Sequence, residues 1–161
     1  MKFLKYAFPL MIVLLFTLAL AACAQQPTVP TPAAGGSTPT ATSGSNTLIH
    51  TATATVKGAS KTILTNAQGM TFYYRTSDNP PSVVCSGGCA GAWPPLLFTG
   101  SGTPASSTQL PGKLTVVVDA NGNQVEYNRH PLYTFASDTA PGQTNGEGVG
   151  GIWFVATPDL K

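Results

Sequence analysis

The chain begins with one long apolar stretch and continues with short segments of alternating polarity, so two different structures are predicted. After a short basic start, residues 6–20 are apolar apart from one proline and one threonine, and two alanines then precede Cys23. This order of basic, apolar and small residues is the anatomy of a secretory signal. A membrane-spanning helix needs about 20 apolar residues, and this stretch is shorter and contains Pro9. A signal peptide over residues 1–22 is therefore favoured over an uncleaved anchor. Cleavage by ordinary signal peptidase near Ala22 or Ala24, which would leave a secreted protein without a lipid, is the other alternative.

The rest of the chain is predicted to fold as β-structure. From residue 48 onward no window shows apolar residues at helical spacing, whereas short β-rich segments separated by turn residues recur throughout. The predicted strands are Thr51–Lys57, Lys61–Thr65, Met70–Thr76, Leu114–Asp119, Gln124–Tyr127, Leu132–Ala136 and Ile152–Ala156. Asn66–Gly69 is a predicted turn, and Ala120–Asn123 is another because its Asn-Gly step is typical of hairpins. The predicted fold class is all-β, mainly β with long loops.

Composition divides the mature chain into a tether and one small domain. Residues 23–47 are uncharged and consist mainly of Pro, Thr, Ser, Gly, Ala and Gln, so they cannot bury a core and are predicted to be disordered. Residues 48–161 have the length and the aromatic content of a single domain with one core. Gly100–Gly112 is rich in Ser, Thr, Pro and Gly and is predicted to connect two halves across the surface.

Those two halves form an internal repeat. Three distinctive residues of the first half recur at an offset of 60 in the second, as the pairs Tyr73/Tyr133, Asp78/Asp138 and Trp93/Trp153. A repeat is one supersecondary unit used twice, with each copy covering the apolar face of the other. We predict two tandem copies, about 61–100 and 114–158, each a β-hairpin followed by a loop and packed into one domain.

The repeated residues have a structural and a functional interpretation. The tyrosines suit half-buried strand positions, the aspartates suit turns where a carboxylate accepts main-chain N–H groups, and the tryptophans suit the core. The functional alternative is that Asp78 and Asp138 face one site and hold a cation. Because calcium prefers six or more oxygen ligands, two carboxylates alone make a poor site, and the structural interpretation is favoured.

The three cysteines separate into one lipid-attachment residue and one pair. Cys23 follows Leu20-Ala21-Ala22, which is the pattern of a bacterial lipobox, so we predict that it becomes the lipid-bearing first residue of the mature chain. Outside the cytoplasm, Cys85 and Cys89 are then expected to form a disulfide. The alternative is a metal or thiol-redox site that uses these two cysteines together with His130 or Met70, although two thiolates do not complete a zinc shell.

Charge gives little sign of a polyanionic partner. The chain has eight Lys and Arg against six Asp and Glu, and two of the lysines lie in the signal, so the mature chain carries six of each and has no net charge. No basic cluster is present to neutralise phosphates, so a nucleic-acid partner is not expected.

Ala24, rather than Asp, follows Cys23, which permits delivery to an outer membrane in a bacterium that has one.

At the repeated residues the chain resembles a family of secreted-repeat lipoproteins described by a Tyr-x-(Phe/Trp/Tyr)-x-x-Asp motif. Tyr133, Phe135 and Asp138 fit the motif in full, whereas the first copy has Arg75 at the aromatic position. The stretch Cys85–Leu96 also matches the family pattern of Cys-x-x-x-Cys-Ala followed by Trp-Pro-Pro-Leu. The resemblance covers about residues 60–158. It implies an exported repeat domain, often lipid-anchored, and supplies no substrate, cofactor or catalytic residue.

Three classes of function follow from these patterns. The favoured one is a non-enzymatic binding or envelope-structural module, held to the bacterial cell membrane by its N-terminal lipid, with an envelope or extracellular protein or a glycan as partner. The second is metal binding or thiol redox through Cys85 and Cys89. The third is a hydrolase with His130 as base, although His130 precedes Pro131 in a predicted turn and no nucleophile-elbow or zinc-protease motif is present. No catalytic residue, metal ligand or cofactor is assigned.

Overall fold

The structure is a computed structural model in which residues 46–161 are described. Within this range it contains the strands β1 (Thr47–Val56), β2 (Ala59–Thr65), β3 (Tyr73–Arg75), β4 (Ala105–Ser106), β5 (Leu114–Asp119), β6 (Gly122–Tyr127), β7 (His130–Pro131) and β8 (Trp153–Val155). It also contains one short α-helix, α1 (Gly88–Ala92), and a 3-10 helix over Val149–Gly151. None of the helices in residues 46–161 has the length and hydropathy needed to cross a membrane. The predicted signal, Cys23 and nearly all of the predicted tether lie outside the described residues and stay predictions.

The all-β fold class is confirmed, but several strands differ from the predicted ones. β1 begins at Thr47, ahead of the predicted start, and only Tyr73–Arg75 of the predicted strand at 70–76 is a strand. The predicted strand Leu132–Ala136 is wrong, because Tyr133 bridges single residues of two different segments instead of pairing along one continuous strand. The five-residue helix α1 was not predicted, since so short a helix has no apolar periodicity to detect.

Each copy starts with an antiparallel hairpin. β1 and β2 close at Val56 and Ala59, and the two turn residues between them, Lys57 and Gly58, have φ of 49° and 77°. Positive φ at both central positions is the type I′ geometry that suits the twist of a hairpin. β5 and β6 form the equivalent hairpin in the second copy, closing at Asp119 and Gly122.

In each copy, the segment that contains the tyrosine and the segment that follows the tryptophan pair with the other copy. β3 of the first copy pairs antiparallel with β8 of the second, and the main chains of Tyr73 and Tyr133 donate to each other's carbonyl oxygens at 2.8 and 3.0 Å. Matching hydrogen bonds flank this pair: Leu64 N to Ala156 O (2.8 Å), Ala156 N to Phe72 O (2.8 Å), Val125 N to Leu96 O (2.8 Å) and Leu96 N to Leu132 O (2.9 Å). The copies are therefore interlocked about an approximate twofold axis.

Two buried clusters fill the domain. One contains the tyrosine and the tryptophan of both copies, together with Cys85 and apolar residues of β1, β2 and β8. The other is built mainly from the two hairpins and includes Ile49, Phe72, Val125 and Leu132. The first cluster surrounds the approximate twofold axis, so the repeated residues meet in the interior of the domain.

Candidate functional site

The tyrosine of each copy binds the aspartate of the other copy. The Tyr73 hydroxyl donates to Asp138 Oδ2 at 2.6 Å, and the Tyr133 hydroxyl donates to Asp78 Oδ2 at 2.6 Å. Both tyrosines are fully buried, and the two aspartates are at most 9% exposed. The repeated polar residues thus form two equivalent buried pairs that join the copies.

The second oxygen of each carboxylate holds a loop of its own copy. Asp78 Oδ1 accepts the N–H of Val84 at 2.9 Å, and Asp138 Oδ1 accepts the N–H of Asn145 at 3.1 Å. Each aspartate also ends a turn, since its own N–H donates to the carbonyl three residues earlier. One oxygen of each carboxylate therefore holds a loop of its own copy, and the other oxygen holds the tyrosine of the other copy.

The two tryptophans stack on each other at the centre of the first cluster. Trp93 and Trp153 have ring centroids 3.9 Å apart and planes that differ by 3°. Tyr73 meets the edge of Trp93 at 5.5 Å, and Tyr133 meets the edge of Trp153 at 5.0 Å. Such edge-to-face and stacked contacts stabilise the fold beyond what the buried area of the rings contributes.

The third position of the motif extends this stack at both ends. Phe135 stacks on Trp93 with centroids 4.2 Å apart, while the Arg75 guanidinium lies over Trp153 at 6.0 Å from the ring centroid. Arginine is the cation that most often covers an aromatic face in this way. Arg75 Nη1 also lies 3.9 Å from Asp78 Oδ1. The departure from the motif in the first copy therefore keeps a planar group on the tryptophan.

The cysteine pair is joined in a disulfide that is particular to the first copy. Cys85 and Cys89 are bonded with their Cα atoms 5.2 Å apart, and Cys85 is completely buried in the first cluster. The carbonyl of Cys89 accepts the N–H of Trp93 at 2.9 Å. The disulfide therefore holds the short helix that delivers Trp93 to the stack. The second copy has Asn145 and Val149 at the equivalent positions.

His130 lies apart from the interlocked site. Its Nε2 is 2.8 Å from the main-chain oxygen of Lys161, and its ring meets Tyr74 with centroids 4.9 Å apart. His130 belongs to β7, not to the turn that the sequence predicted. These contacts hold the segment that ends the chain and give His130 no serine or cysteine neighbour among its described contacts.

The described residues offer no cluster suited to a metal ion. In residues 46–161 no three His, Cys, Asp or Glu side chains lie close enough together to share one. Asp78 and Asp138 instead spend both oxygens on hydrogen bonds within the protein. This geometry does not support a cation site shared by the two aspartates.

Gly146 is part of the site, and sequence reasoning missed it. Its N–H donates to the Tyr73 hydroxyl at 3.2 Å, and a Cβ at this position would lie 2.8 Å from ring atoms of both Tyr73 and Trp93. The repeat offset could not identify it, because the equivalent residue of the first copy is Ser86. Only the close approach of the main chain to two rings explains a glycine here.

Burial makes both interface tyrosines sensitive to alkaline pH. Burial, followed by the hydrogen bond to an aspartate, raises the pKa of Tyr73 and of Tyr133 far above the ordinary value of 10.0. The folded chain holds these protons more tightly than the unfolded chain does, so their stabilisation is complete below pH 10 and is lost as the pH rises further. We expect the free energy of unfolding to fall by up to about 1.4 kcal/mol per pH unit for each tyrosine. Urea unfolding between pH 8 and pH 11 measures this slope, and Tyr133→Phe should reduce it; an unchanged slope in that variant would contradict the assignment.

Comparison with known proteins agrees with the two-copy architecture. A family model described as a secreted repeat of unknown function matches the chain twice, over residues 54–97 and 115–157. The two matches together cover more than half of the chain and confirm the resemblance and the tandem repeat. The first match starts at residue 54, within β1. No curated protein and no solved structure matches the chain.

Proposed function

Because this chain belongs to the Lipoprotein_15 family of secreted repeats of unknown function, we propose that it is a lipid-anchored protein outside the cytoplasm. Its two interlocked copies would form one non-enzymatic module that binds a partner or supports the envelope. In this proposal Cys23 carries the lipid, the residues between Cys23 and β1 act as a tether, and the domain that begins with β1 stands away from the membrane.

The use of the repeated residues inside the domain is the observation that carries this proposal. The two tyrosines, the two aspartates and the two tryptophans are all buried, and their contacts join one copy to the other. An enzyme needs a nucleophile or an acid–base pair that a substrate can reach. The repeated tyrosines, aspartates and tryptophans instead stabilise the fold, which favours a rigid structural or binding role.

The two alternatives have weaker support in the structure. Thiol–disulfide exchange depends on access to a sulfur atom, and Cys85 is fully buried, which leaves only the partly exposed Cys89 open to attack. A hydrolase with His130 as base would need a nucleophile within hydrogen-bond distance. The contacts of His130 are with Tyr74 and with the main chain of Lys161.

The lipid anchor supplies the membrane attachment in this proposal. Each buried methylene group contributes about 0.8 kcal/mol, and one acyl chain alone holds a protein only marginally. The diacylglyceryl group expected on a lipobox cysteine has two chains, which is enough for stable attachment. The attachment then depends on a single residue, Cys23.

Replacing Cys23 tests the anchor. We expect Cys23→Ser to move the protein from the membrane fraction to the soluble fraction or to leave it as the unprocessed precursor, because no lipid can be attached. Ala24→Ser is the matched control, and it should keep the protein in the membrane fraction with a lipidated mass that differs from the parent's only by the serine oxygen. Fractionation of cells followed by mass spectrometry measures both properties. A Cys23→Ser protein that is trimmed and retained like the parent would contradict the proposal.

A further inference from the structure

β1 presents a sheet edge that is only partly covered. Its partner β2 covers one side over residues 50–56, whereas β4 covers the other side only near its start, with the parallel pairs Thr47–Ala105 and Ile49–Ser106. The Ile49 carbonyl accepts the N–H of Ser107 at 2.8 Å, so Ile49 directs its main-chain groups away from β2. Beyond this point the edge is left without a neighbouring strand among the described residues.

The direction of the remaining groups follows from the antiparallel ladder. Alternate residues of such a strand bond to the same neighbour, so Thr51, Thr53 and Thr55 direct their N–H and C=O groups to the open side, as Ile49 does. The Thr55 carbonyl accepts the hydroxyl of Thr144 at 2.8 Å, which agrees with this assignment. Within residues 46–161, no other hydrogen bond engages the outward groups of these three threonines.

The sequence of the edge also lacks the residues that usually prevent pairing. Exposed edges of natural sheets carry lysines, prolines, bulges or inward-pointing charges. The segment Thr51–Val56 reads Thr-Ala-Thr-Ala-Thr-Val, with no charge and no proline. Thr53 and Thr55 are exposed, whereas Ala54 is buried against the first cluster. The open edge is thus regular, uncharged and supported from behind.

We propose that this edge pairs antiparallel with β1 of a second copy of this chain, about a twofold axis at Thr53. A row of outward N–H and C=O groups at strand spacing is matched only by another extended main chain. The alternation is symmetric about Thr53, so the same edge is its own complement. Thr53 of each chain would donate to Thr53 of the other, and Thr55 of each would donate to the carbonyl of Thr51 of the other. The Thr55 carbonyl would keep its bond from the Thr144 hydroxyl and would not take part.

A second copy fits this edge better than an unrelated strand for two reasons. The facing side chains would be Thr53 against Thr53 and Thr51 against Thr55, and threonine pairs are favourable across neighbouring strands. The pairing involves only four hydrogen bonds, so it needs a high local concentration. Attachment of both chains to one membrane would supply that concentration, and in this respect the inference rests on the proposed anchor.

Cysteine cross-linking of the full chain in cells tests the pairing and its register. In the proposed ladder the two Thr53 residues form a hydrogen-bonded pair, with Cα atoms about 5.5 Å apart, within the range that a disulfide accepts. A mild thiol oxidant should therefore convert Thr53→Cys to a dimer on non-reducing gels. Thr55→Cys is the matched control, because its two copies would be about four residues out of register, roughly 13 Å apart.

We expect Thr53→Cys to give on the order of tenfold more dimer than Thr55→Cys, since only the first satisfies disulfide geometry. Adding Thr55→Pro to Thr53→Cys should reduce the dimer, because proline removes an edge N–H that β2 does not use. Thr55→Val keeps that N–H and should preserve the dimer. Equal dimer from Thr53→Cys and Thr55→Cys would overturn the proposed pairing.

Fractionation of the same cells separates this result from the anchor. Protein that stays in the membrane fraction but gives no Thr53→Cys dimer would refute the edge pairing and leave the anchor intact. Protein that is released would refute the anchor. The released Thr53→Cys and Thr55→Cys proteins would then be oxidised at high concentration. An excess of dimer from Thr53→Cys would support the pairing, and equal amounts of dimer would refute it.

Discussion

Trp93→Ala should lower the free energy of unfolding by about 3–5 kcal/mol, the usual loss when a large buried ring is removed from a core. Trp93 is 5% exposed and lies between two rings of the other copy, Phe135 at 4.2 Å and Trp153 at 3.9 Å. Its removal leaves a cavity at the approximate twofold axis, where both copies lose contacts at once. Urea unfolding monitored by circular dichroism measures the change.

Phe154→Ala is the matched control for the tryptophan stack. Phe154 is also an aromatic residue of the repeat region, but it is partly exposed and faces outward beside Tyr74 and Lys57. We expect its replacement to cost less than half as much as Trp93→Ala, since little cavity is created. Equal losses for the two variants would show that the stack does not hold the copies together.

Asp138→Ala should be similarly damaging, with a loss of about 3–6 kcal/mol, because two hydrogen bonds to a charged group contribute about 1.5–3 kcal/mol each. Asp138 accepts the Tyr73 hydroxyl from the other copy and the N–H of Asn145 from its own. Tyr73→Phe removes the first of these bonds and also leaves the buried Gly146 N–H without its acceptor, so its loss should approach that of Asp138→Ala. Urea unfolding at neutral pH gives both values.

A double-mutant cycle shows whether this bond crosses between the copies. The Tyr73→Phe and Asp138→Ala losses should fall short of additivity by about 1–3 kcal/mol, since the two residues share one bond. Tyr73→Phe combined with Asp78→Ala is the control, because Asp78 binds Tyr133 and not Tyr73. That pair should be additive within about 0.5 kcal/mol. Stronger coupling of Tyr73 with Asp78 than with Asp138 would mean that each copy is closed on itself.

Local chemistry made much of the fold predictable. The hairpins of β1–β2 and β5–β6 follow from alternating polarity and turn residues, which act over a few neighbouring positions. The offset of 60 identified the tyrosines, aspartates and tryptophans as equivalent members of a repeat. Leu132–Ala136 was predicted as a strand on the same local grounds, and it failed because its pairing partners lie in two distant segments.

The arrangement of the site could not be predicted in the same way. The sequence placed Tyr73 and Asp78 in one copy, five residues apart, and gave no sign that each would bind across the interface. The roles of Gly146 and Arg75 could not be predicted either, because they depend on aromatic rings that are distant in sequence. Such contacts are set by how two β-units close over each other's apolar faces, which is a property of packing and not of spacing.

The sequence by itself determined a secreted two-copy β-protein, because composition, alternation and repetition are carried by each residue and its near neighbours. The predicted lipid on Cys23 belongs to the same kind of inference and awaits its test. Only the tertiary structure decided that the copies exchange hydrogen bonds and stack their tryptophans at one axis. Tyr73 and Asp138 are 65 positions apart, and only the closing of one copy over the other brings a hydroxyl and a carboxylate from that separation into a buried bond.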